Sequence, residues 1–456
     1  KRIAGMVWRG AHKECNALVA PARKGNWQTR ARAIGKRAQG QLANASHPPN
    51  TPSPMKKTTG SDPAATAKWR PATQAVRAGT QRSEHGETSE ALYLTSGFTY
   101  DSAEEVAARF SGDTEGMQYS RFKNPTVEMA QNRIAAMEGA EACLMQASGM
   151  AAMTGALLCM LSAGDHVVAG RAAFGSCRWI LDNVLSRFGI THTAIDGTDN
   201  AAWEAAVQPN TKAFFFETPA NPTMDLVDLE FVCGLARSKG ITSVVDNAFA
   251  TSVLQKPLDF GADVVAYSAT KLMDGQGRVM AGAVCSSREW IEEYLSPFQR
   301  NTGPICAPFN AWVVMKGLET LPLRATAQSA NALLVAQFLE DKGLRVLHPG
   351  LPSHPQYALT QKQMVSAGPI FAFFAPDGQS QAMALCNALE LIDISNNIGD
   401  SKSLMCHPAS TTHYNMGEEG RAEAGIEDGM LRLNVGLEDP LDLIEDLDRA
   451  LGRVGF

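Results

Sequence analysis

Apolar positions along this chain fall into two periods, and the alternation between them is the first structural signal. Apolar runs with strand character, rich in Val, Phe and Ala, occur at 165–169, 212–217, 242–246, 264–268 and 282–285. Amphipathic stretches of helix length separate several of them, the clearest being 229–239 closed by Gly240. Strands with no polar alternation are covered on both faces, so the pattern predicts an α/β fold with a largely parallel sheet between helical layers. The stretch 150–164, interrupted by Thr154, Gly155 and Ser162, predicts a buried helix over 150–161. It is too short for the ~18 uncharged apolar residues of a membrane span.

The texture changes at both ends. After a helix over 309–319, strands at 369–374 and 430–435 predict a smaller α+β region. Its last helix begins at Asp439-Pro440, a capping carboxylate followed by a proline of fixed φ, with Leu443, Ile444, Leu447 and Leu451 on one stripe. Near the other end, 102–110 predicts an acidic surface helix. Residues 1–70 read as a basic leader: up to Lys57 there are twelve Lys or Arg against the single acid Glu14, then prolines at 48, 49, 52 and 54. Such a segment buries too little apolar surface to offset its ordering entropy and is expected to be disordered. The preferred reading is an upstream extension before a start at Met55, with an Arg-rich transit segment as the alternative.

Composition narrows the function. In 456 residues, 45% apolar and 19% charged with a net charge of −6, there is material for a large core and no basic excess to attract nucleic acid or an anionic membrane. The nine cysteines are scattered and never form a C-x-x-C pair, which predicts reduced thiols in the cytoplasm rather than a zinc or disulfide framework.

Candidate chemistry sits at the strand ends, where an open parallel sheet binds its ligands. Three successive strands finish on Glu217, on Asp246 and on Ser268-Ala-Thr-Lys271. Taken alone, Lys271 reads as a solvated loop cation; its company changes that. A buried acid, an amine, hydroxyls and the helix start at Ala147-Ser-Gly-Met150 are what pyridoxal phosphate (PLP) needs. The helix end and hydroxyls suit the phosphate, Asp246 the ring nitrogen, and the lysine the imine.

Together these residues resemble the Cys/Met-metabolism family of PLP-dependent enzymes, of the aspartate-aminotransferase-like fold (fold type I). The likeness runs from about Thr73 to the C-terminus. It rests on Tyr119-Ser-Arg-Phe-Lys-Asn-Pro-Thr126, Ala147-Ser-Gly-Met-Ala-Ala152, Glu217-Thr-Pro-Ala-Asn-Pro-Thr223, Val245-Asp-Asn-Ala-Phe249, Tyr267-Ser-Ala-Thr-Lys271, His407-Pro-Ala409 with Thr412-His413, and Leu431-Arg-Leu-Asn-Val-Gly-Leu-Glu-Asp439.

The resemblance implies a mostly parallel seven-stranded sheet with helices on both faces and a smaller C-terminal α+β domain. After the leader, it divides the chain into an arm contacting a neighbouring subunit (71–120), a PLP-binding domain (121–315) and the C-terminal domain (316–456). It implies Lys271 as the Schiff-base lysine, Asp246 as the pyridinium partner, Asn221 on the ring hydroxyl oxygen and Phe174 stacked on the ring. Ser148, Gly149, Met150, Ser268 and Thr270 would bind the phosphate. Tyr119 and Arg121 would reach the phosphate of a neighbouring subunit, implying a homo-oligomer with shared sites, usually a tetramer built as a dimer of dimers. Arg432 would fork onto the substrate α-carboxylate, supported by Ser403 through the backbone.

Within the family, the stretches 89–97, 274–278 and 396–404 are most similar to the branch that exchanges the succinyl ester of homoserine for sulfide. The branch using the O-acetyl ester is the nearest rival. Phe174 where lyases often carry tyrosine, and Ser176 where methionine γ-lyases favour cysteine, weaken a lyase reading. The implied reaction is O-succinylhomoserine plus sulfide giving homocysteine and succinate, in methionine biosynthesis. The resemblance also leaves room for cystathionine γ-synthase activity and for a γ- or β-lyase.

Three further signals carry less. Gly275-Gln-Gly277 lacks the rest of a nucleotide loop and is read as letting the backbone pass close to the cofactor lysine. His407 and His413 read as pocket or structural residues rather than metal ligands, and Arg324 as a structural link between domains.

Overall fold

A computed structural model describes Gly60 and residues 62–455. Seven strands form the main sheet: β1 (Ala142–Gln146), β2 (His166–Gly170), β3 (Thr191–Ile195), β4 (Thr211–Glu217), β5 (Thr242–Asp246), β6 (Val264–Ser268) and β7 (Gly282–Ser286). Their order is β1-β7-β6-β5-β4-β2-β3, with β7 antiparallel to both neighbours and the remaining pairs parallel. The expected mostly parallel sheet is therefore present. Its central strands are the apolar runs of the sequence, and Phe214, Phe215 and Phe216 of β4 are buried on alternating faces. Trp203, fully buried, packs on Phe214 and Phe216 with ring centroids 5.1 and 5.3 Å away.

Local chemistry sets the helix limits. The helix Leu229–Lys239 is capped by Asp228, which accepts from the Phe231 amide, and ends where Gly240 turns left-handed at φ 67°. Ser102 caps Ala103–Ser111 in the same manner.

The C-terminal domain carries a second sheet of β8 (Val346–Leu347), β9 (Ile370–Phe374), β10 (Asp393–Ile394), β11 (Leu404–Cys406) and β12 (Met430–Asn434), ordered β10-β11-β12-β9-β8. Asp439 caps the last helix, Pro440–Arg453, by accepting from the Leu441 amide. Its Leu443, Leu447 and Leu451 pack with Phe371, Phe373, Leu431 and Leu433. Each such side chain stabilises the domain by roughly 1.5–3 kcal/mol on burial.

Of the segment read as a leader, residues 1–59 and 61 lie outside the described residues. The part from Asp62 onward is structured: Pro63–Thr66 is a short helix, and the buried Thr66 carbonyl accepts from Gln74 Nε2 at 3.2 Å. Among the described residues all cysteines are unpaired, no cluster of His, Cys, Asp and Glu could hold a metal, and no helix is long and apolar enough to cross a membrane.

Candidate active site

The last residues of β4, β5 and β6 are Glu217, Asp246 and Ser268. Strand register sets Glu217 beside Asp246, and Asp246 beside Ala266. Two carboxyls and the turn leading to Lys271 therefore meet at one edge of the sheet, where a ligand crevice belongs.

Asp246 is buried, and its Oδ1 accepts from the Ala248 amide at 3.0 Å. Among the described residues no Lys or Arg forms an ion pair with it. Burial outweighs that amide bond and pushes the carboxyl up to about 7. Glu217 is driven well above the usual carboxylate range by burial and then by the charge of Asp246. The amides of Phe174, at 2.8 Å, and Asn221, with the Arg432 charge, only partly offset this. A protonated ring nitrogen beside Asp246 would hold that carboxyl ionised while Glu217 keeps its proton, so the pair suits the pyridine end of PLP.

Lys271 donates from Nζ to Asn397 Oδ1 at 2.7 Å. Burial, followed by the charge of Arg432, brings its amine down to about 8. Among the described residues no contact joins Lys271 to Asp246 directly, as befits two groups that meet a cofactor ring at different atoms. Arg432 rises from β12, the middle strand of the second sheet. Its Nη1 donates to Asn221 Oδ1 and its Nη2 to the Asn396 carbonyl, both at 2.9 Å. Asn221 thus spends its oxygen on Arg432 and keeps its NH2 for an acceptor such as a ring oxygen.

The phosphate candidates also assemble. Ser148 caps the helix Gly149–Leu158, its Oγ accepting from the Ala151 amide at 3.1 Å. Met150 is the second residue of that helix. A Cβ on Gly149 would lie 2.5 Å from Ser268 Cβ, so only glycine lets the helix start come this close to the end of β6. Thr270 is less available: its hydroxyl donates to the Ala281 carbonyl at 3.2 Å and accepts from the Ala281 amide at 3.0 Å. It would have to turn to donate to a phosphate. Phe174 stands just ahead of the helix Gly175–Asn183, its amide on Glu217.

Other expected residues sit elsewhere. Tyr119 is exposed, and the Arg121 guanidinium lies over the Tyr119 and Phe122 rings and donates to the Arg300 carbonyl. Among the described residues no contact ties either to Lys271 or Asp246. Ser403 does not support Arg432. Its amide and hydroxyl donate to the Glu438 carboxylate at 2.7 and 2.9 Å, and its Oγ accepts from the Gly436 amide. The support comes instead from the carbonyls of Asn396 and Asn397, for which no role was expected. Backbone carbonyls are common to every residue type, so nothing in the sequence marks these two.

The backbone at Gly275 does pass close to the lysine, its amide donating to the Lys271 carbonyl at 2.8 Å, and a Cβ there would fall 1.9 Å from Arg324 Nη1, so the glycine also makes room for Arg324. Arg324 is buried and donates to the carbonyls of Leu272 and Gly317, fixing the segment just after Lys271. His407 is bound to Ser410 and the Asp428 carbonyl. His413 is buried, pushed down to about 4 by burial and then Arg432, and its Nδ1 lies 2.8 Å from Thr412 Oγ1.

Comparison with known proteins agrees with this chemistry. The model of the family described as "Cys/Met metabolism PLP-dependent enzyme" matches residues 72–452. An O-succinylhomoserine sulfhydrylase of Mycobacterium tuberculosis is 47% identical over 386 residues, covering 83% of this chain and 95% of its own. An L-methionine gamma-lyase of Treponema denticola is 39% identical over 388 residues, covering 84% and 97%. A crystal structure from Campylobacter jejuni, assigned as an O-acetylhomoserine (thiol)-lyase, superposes with a TM-score of 0.81 at 31% identity, covering 84% of this chain and all of that one. That protein carries pyridoxal phosphate joined to a lysine.

Proposed function

The chain belongs to the Cys/Met metabolism PLP-dependent enzyme family, and on that footing we propose that it exchanges the succinyloxy group of O-succinylhomoserine for sulfide. The products are homocysteine and succinate, a step of methionine biosynthesis. The observation that carries the chemistry is the Lys271 amine, half-buried, brought down to about 8 and held through Asn397 beside Arg432. The choice of reaction is supported by the greater identity to the sulfhydrylase, 47%, than to the γ-lyase, 39%.

Pyridoxal phosphate, when bound, supplies an electron sink for charge that develops at the substrate α-carbon. Lys271 holds the cofactor through its Nζ. With its amine free, Lys271 would take the proton from Cα, hand it on to the bound cofactor, and then, unprotonated again, take one from Cβ, with both transfers reversed later. An amine near 8 serves both directions at neutral pH. Arg432 grips the α-carboxylate with the guanidinium edge that Asn221 and Asn396 orient. Asp246 holds the ring nitrogen protonated, Asn221 donates to the ring oxygen, and Phe174 lies on the ring face. Ser148, Gly149, Met150 and Ser268 seat the phosphate. Tyr119 and Arg121 complete the site of a neighbouring copy in a homo-oligomer. The chain is read as four segments, a leader, an arm, a PLP-binding domain and a C-terminal domain, working in the cytoplasm.

The test is a matrix of steady-state assays. O-succinyl- and O-acetylhomoserine are each offered with sulfide or cysteine, and cystathionine and methionine are offered alone. Homocysteine from the succinyl ester and sulfide as the fastest reaction is expected. Faster turnover of the acetyl ester, of cysteine as nucleophile, or of either elimination substrate would move the assignment to that branch.

A further inference from the structure

Two cavities adjoin residues of the site, and they differ in charge. One, of about 180 Å³, is lined by Arg171 together with the acids Asp196, Glu217, Asp225 and Glu423. The other, of about 350 Å³, is lined by Ser176, Arg178, Asn183, Thr412 and Asn415, with Asp182 as its only acid. Both walls of the second cavity continue into the site. Ser176 lies two residues after Phe174, whose amide is held by Glu217 at 2.8 Å. Thr412 Oγ1 is 2.8 Å from Nδ1 of His413, which feels the Arg432 charge. The two walls also touch: an ideal Cβ on Gly175 would lie 3.6 Å from the Thr412 carbonyl oxygen.

We propose that this second cavity receives the acyl tail of the substrate, and that Arg178 binds its distal carboxylate. This rests on the reaction proposed above. A substrate held by its α-carboxylate on Arg432 would carry its γ-ester toward His413, which feels the Arg432 charge, and so toward the Thr412 wall of this cavity. A succinyl tail reaches two bonds further than an acetyl tail and ends on an anion. Arg178 is set up for that anion. Its Nε donates to Asp182 Oδ2 at 3.3 Å, which fixes the side chain, and among the described residues its Nη1 and Nη2 donate to nothing. Two parallel N–H groups on a guanidinium end match a carboxylate. The neighbouring Ser176, Asn183 and Asn415 offer further polar groups, and Trp179 and Met416 offer apolar surface for the two methylenes of the tail. The first cavity is a poorer rival, because its single arginine shares the lining with Asp196 and Glu423, and Glu217 there belongs to the cofactor end of the site.

The experiment compares the PLP-loaded wild type with Arg178→Ala and Arg178→Lys. Both homoserine esters are assayed with saturating sulfide, and free succinate and acetate are tested as competitive inhibitors. Losing a charge-assisted hydrogen-bond pair should lower the ratio of kcat/KM for the succinyl over the acetyl ester by ~10- to 100-fold in Arg178→Ala. Inhibition by succinate should weaken in parallel. Arg178→Lys should recover part of the ratio, since it restores the charge without the fork. An unchanged ratio, or equal loss on both esters with succinate inhibition intact, would overturn the assignment of Arg178. Wild type that makes no homocysteine from either ester would instead overturn the reaction on which the assignment rests.

Discussion

Lys271 and Asn397, 126 residues apart in the chain, meet at 2.7 Å between Nζ and Oδ1, and the same asparagine offers its carbonyl to Arg432 at 3.4 Å. One residue therefore stands between the amine proposed to move protons and the cation proposed to grip the substrate, its side chain on the first and its backbone carbonyl on the second. Arg432 helps burial hold the amine near 8, so a neighbour of opposite sign should reverse the effect. In Asn397→Asp, a carboxylate beside the amine favours its protonated form, and the ascending limb of the kcat–pH profile should move to higher pH by about one unit. Asn397→Ala should lower kcat without that displacement. Profiles of kcat from pH 6 to 10 decide the matter, and a limb that stays put in Asn397→Asp would remove Lys271 as the group observed.

Asp246→Asn should cost at least ~100-fold in kcat, because a neutral amide cannot hold a cationic ring nitrogen. The buried site loses a carboxyl that has no cationic partner among the described residues, so the fold should survive and thermal stability should change little. Wild-type turnover in the variant would contradict the assigned role.

Gly149→Ala introduces a methyl group 2.5 Å from Ser268 Cβ, and the start of the helix must move away from β6. The expected result is weaker cofactor retention, read as loss of visible absorbance after dialysis, with far-UV circular dichroism unchanged. Retention equal to wild type would show that this contact does not shape the phosphate seat.

Shared sites can be tested by mixing. Arg121→Ala and Lys271→Ala should each be inactive or nearly so as pure proteins. Co-refolded hybrids should regain about a quarter of the sites on the arithmetic of random dimer assembly, measured as specific activity. Hybrids as inactive as the parents would place Arg121 outside any shared site.

A buried ionic cluster ties the 71–120 arm to the rest of the chain. Arg133, fully buried, donates to the carbonyl of Ala78 at 2.9 Å and pairs with Glu90, which also pairs with Lys316. Burial alone would raise the Glu90 carboxyl, but the Lys316 hydrogen bond and the Arg133 charge outweigh it and hold it at about 2. A folded value below the unfolded ~4.3 means this stabilisation is complete above that pH and drains away as pH falls toward 2. Arg133→Ala should cost ~1–3 kcal/mol, since the buried Glu90 carboxylate loses one of its two cationic partners and keeps Lys316. Thermal melts should show a lower Tm for the variant at pH 7 and a smaller further loss between pH 4 and 2 than in wild type.

Sequence alone determined the parts whose information is local. The centres of β4, β5 and β6 are buried on both faces, so Ala213–Phe216, Val244–Val245 and Val264–Tyr267 are consecutive apolar residues and the pattern reads directly. Gly240 and Asp439-Pro440 mark helix ends because φ preference and capping act within a few residues. The two strands of the main sheet that the pattern missed, β1 and β3, are its two edges. β3 is partly solvated and tolerates Thr191, His192 and Thr193, so no apolar run betrays it, whereas the run Ala142–Met145 of β1 is too short for periodicity to tell strand from helix. The antiparallel direction of β7, the pairing of Asn397 with Lys271, and the use of Asn396 rather than Ser403 to brace Arg432 were decided only by tertiary structure. The direction of β7 is set by its pairing with β1 and β6, and the other two depend on where the second sheet sits against the first, a packing that leaves no periodic trace in the sequence.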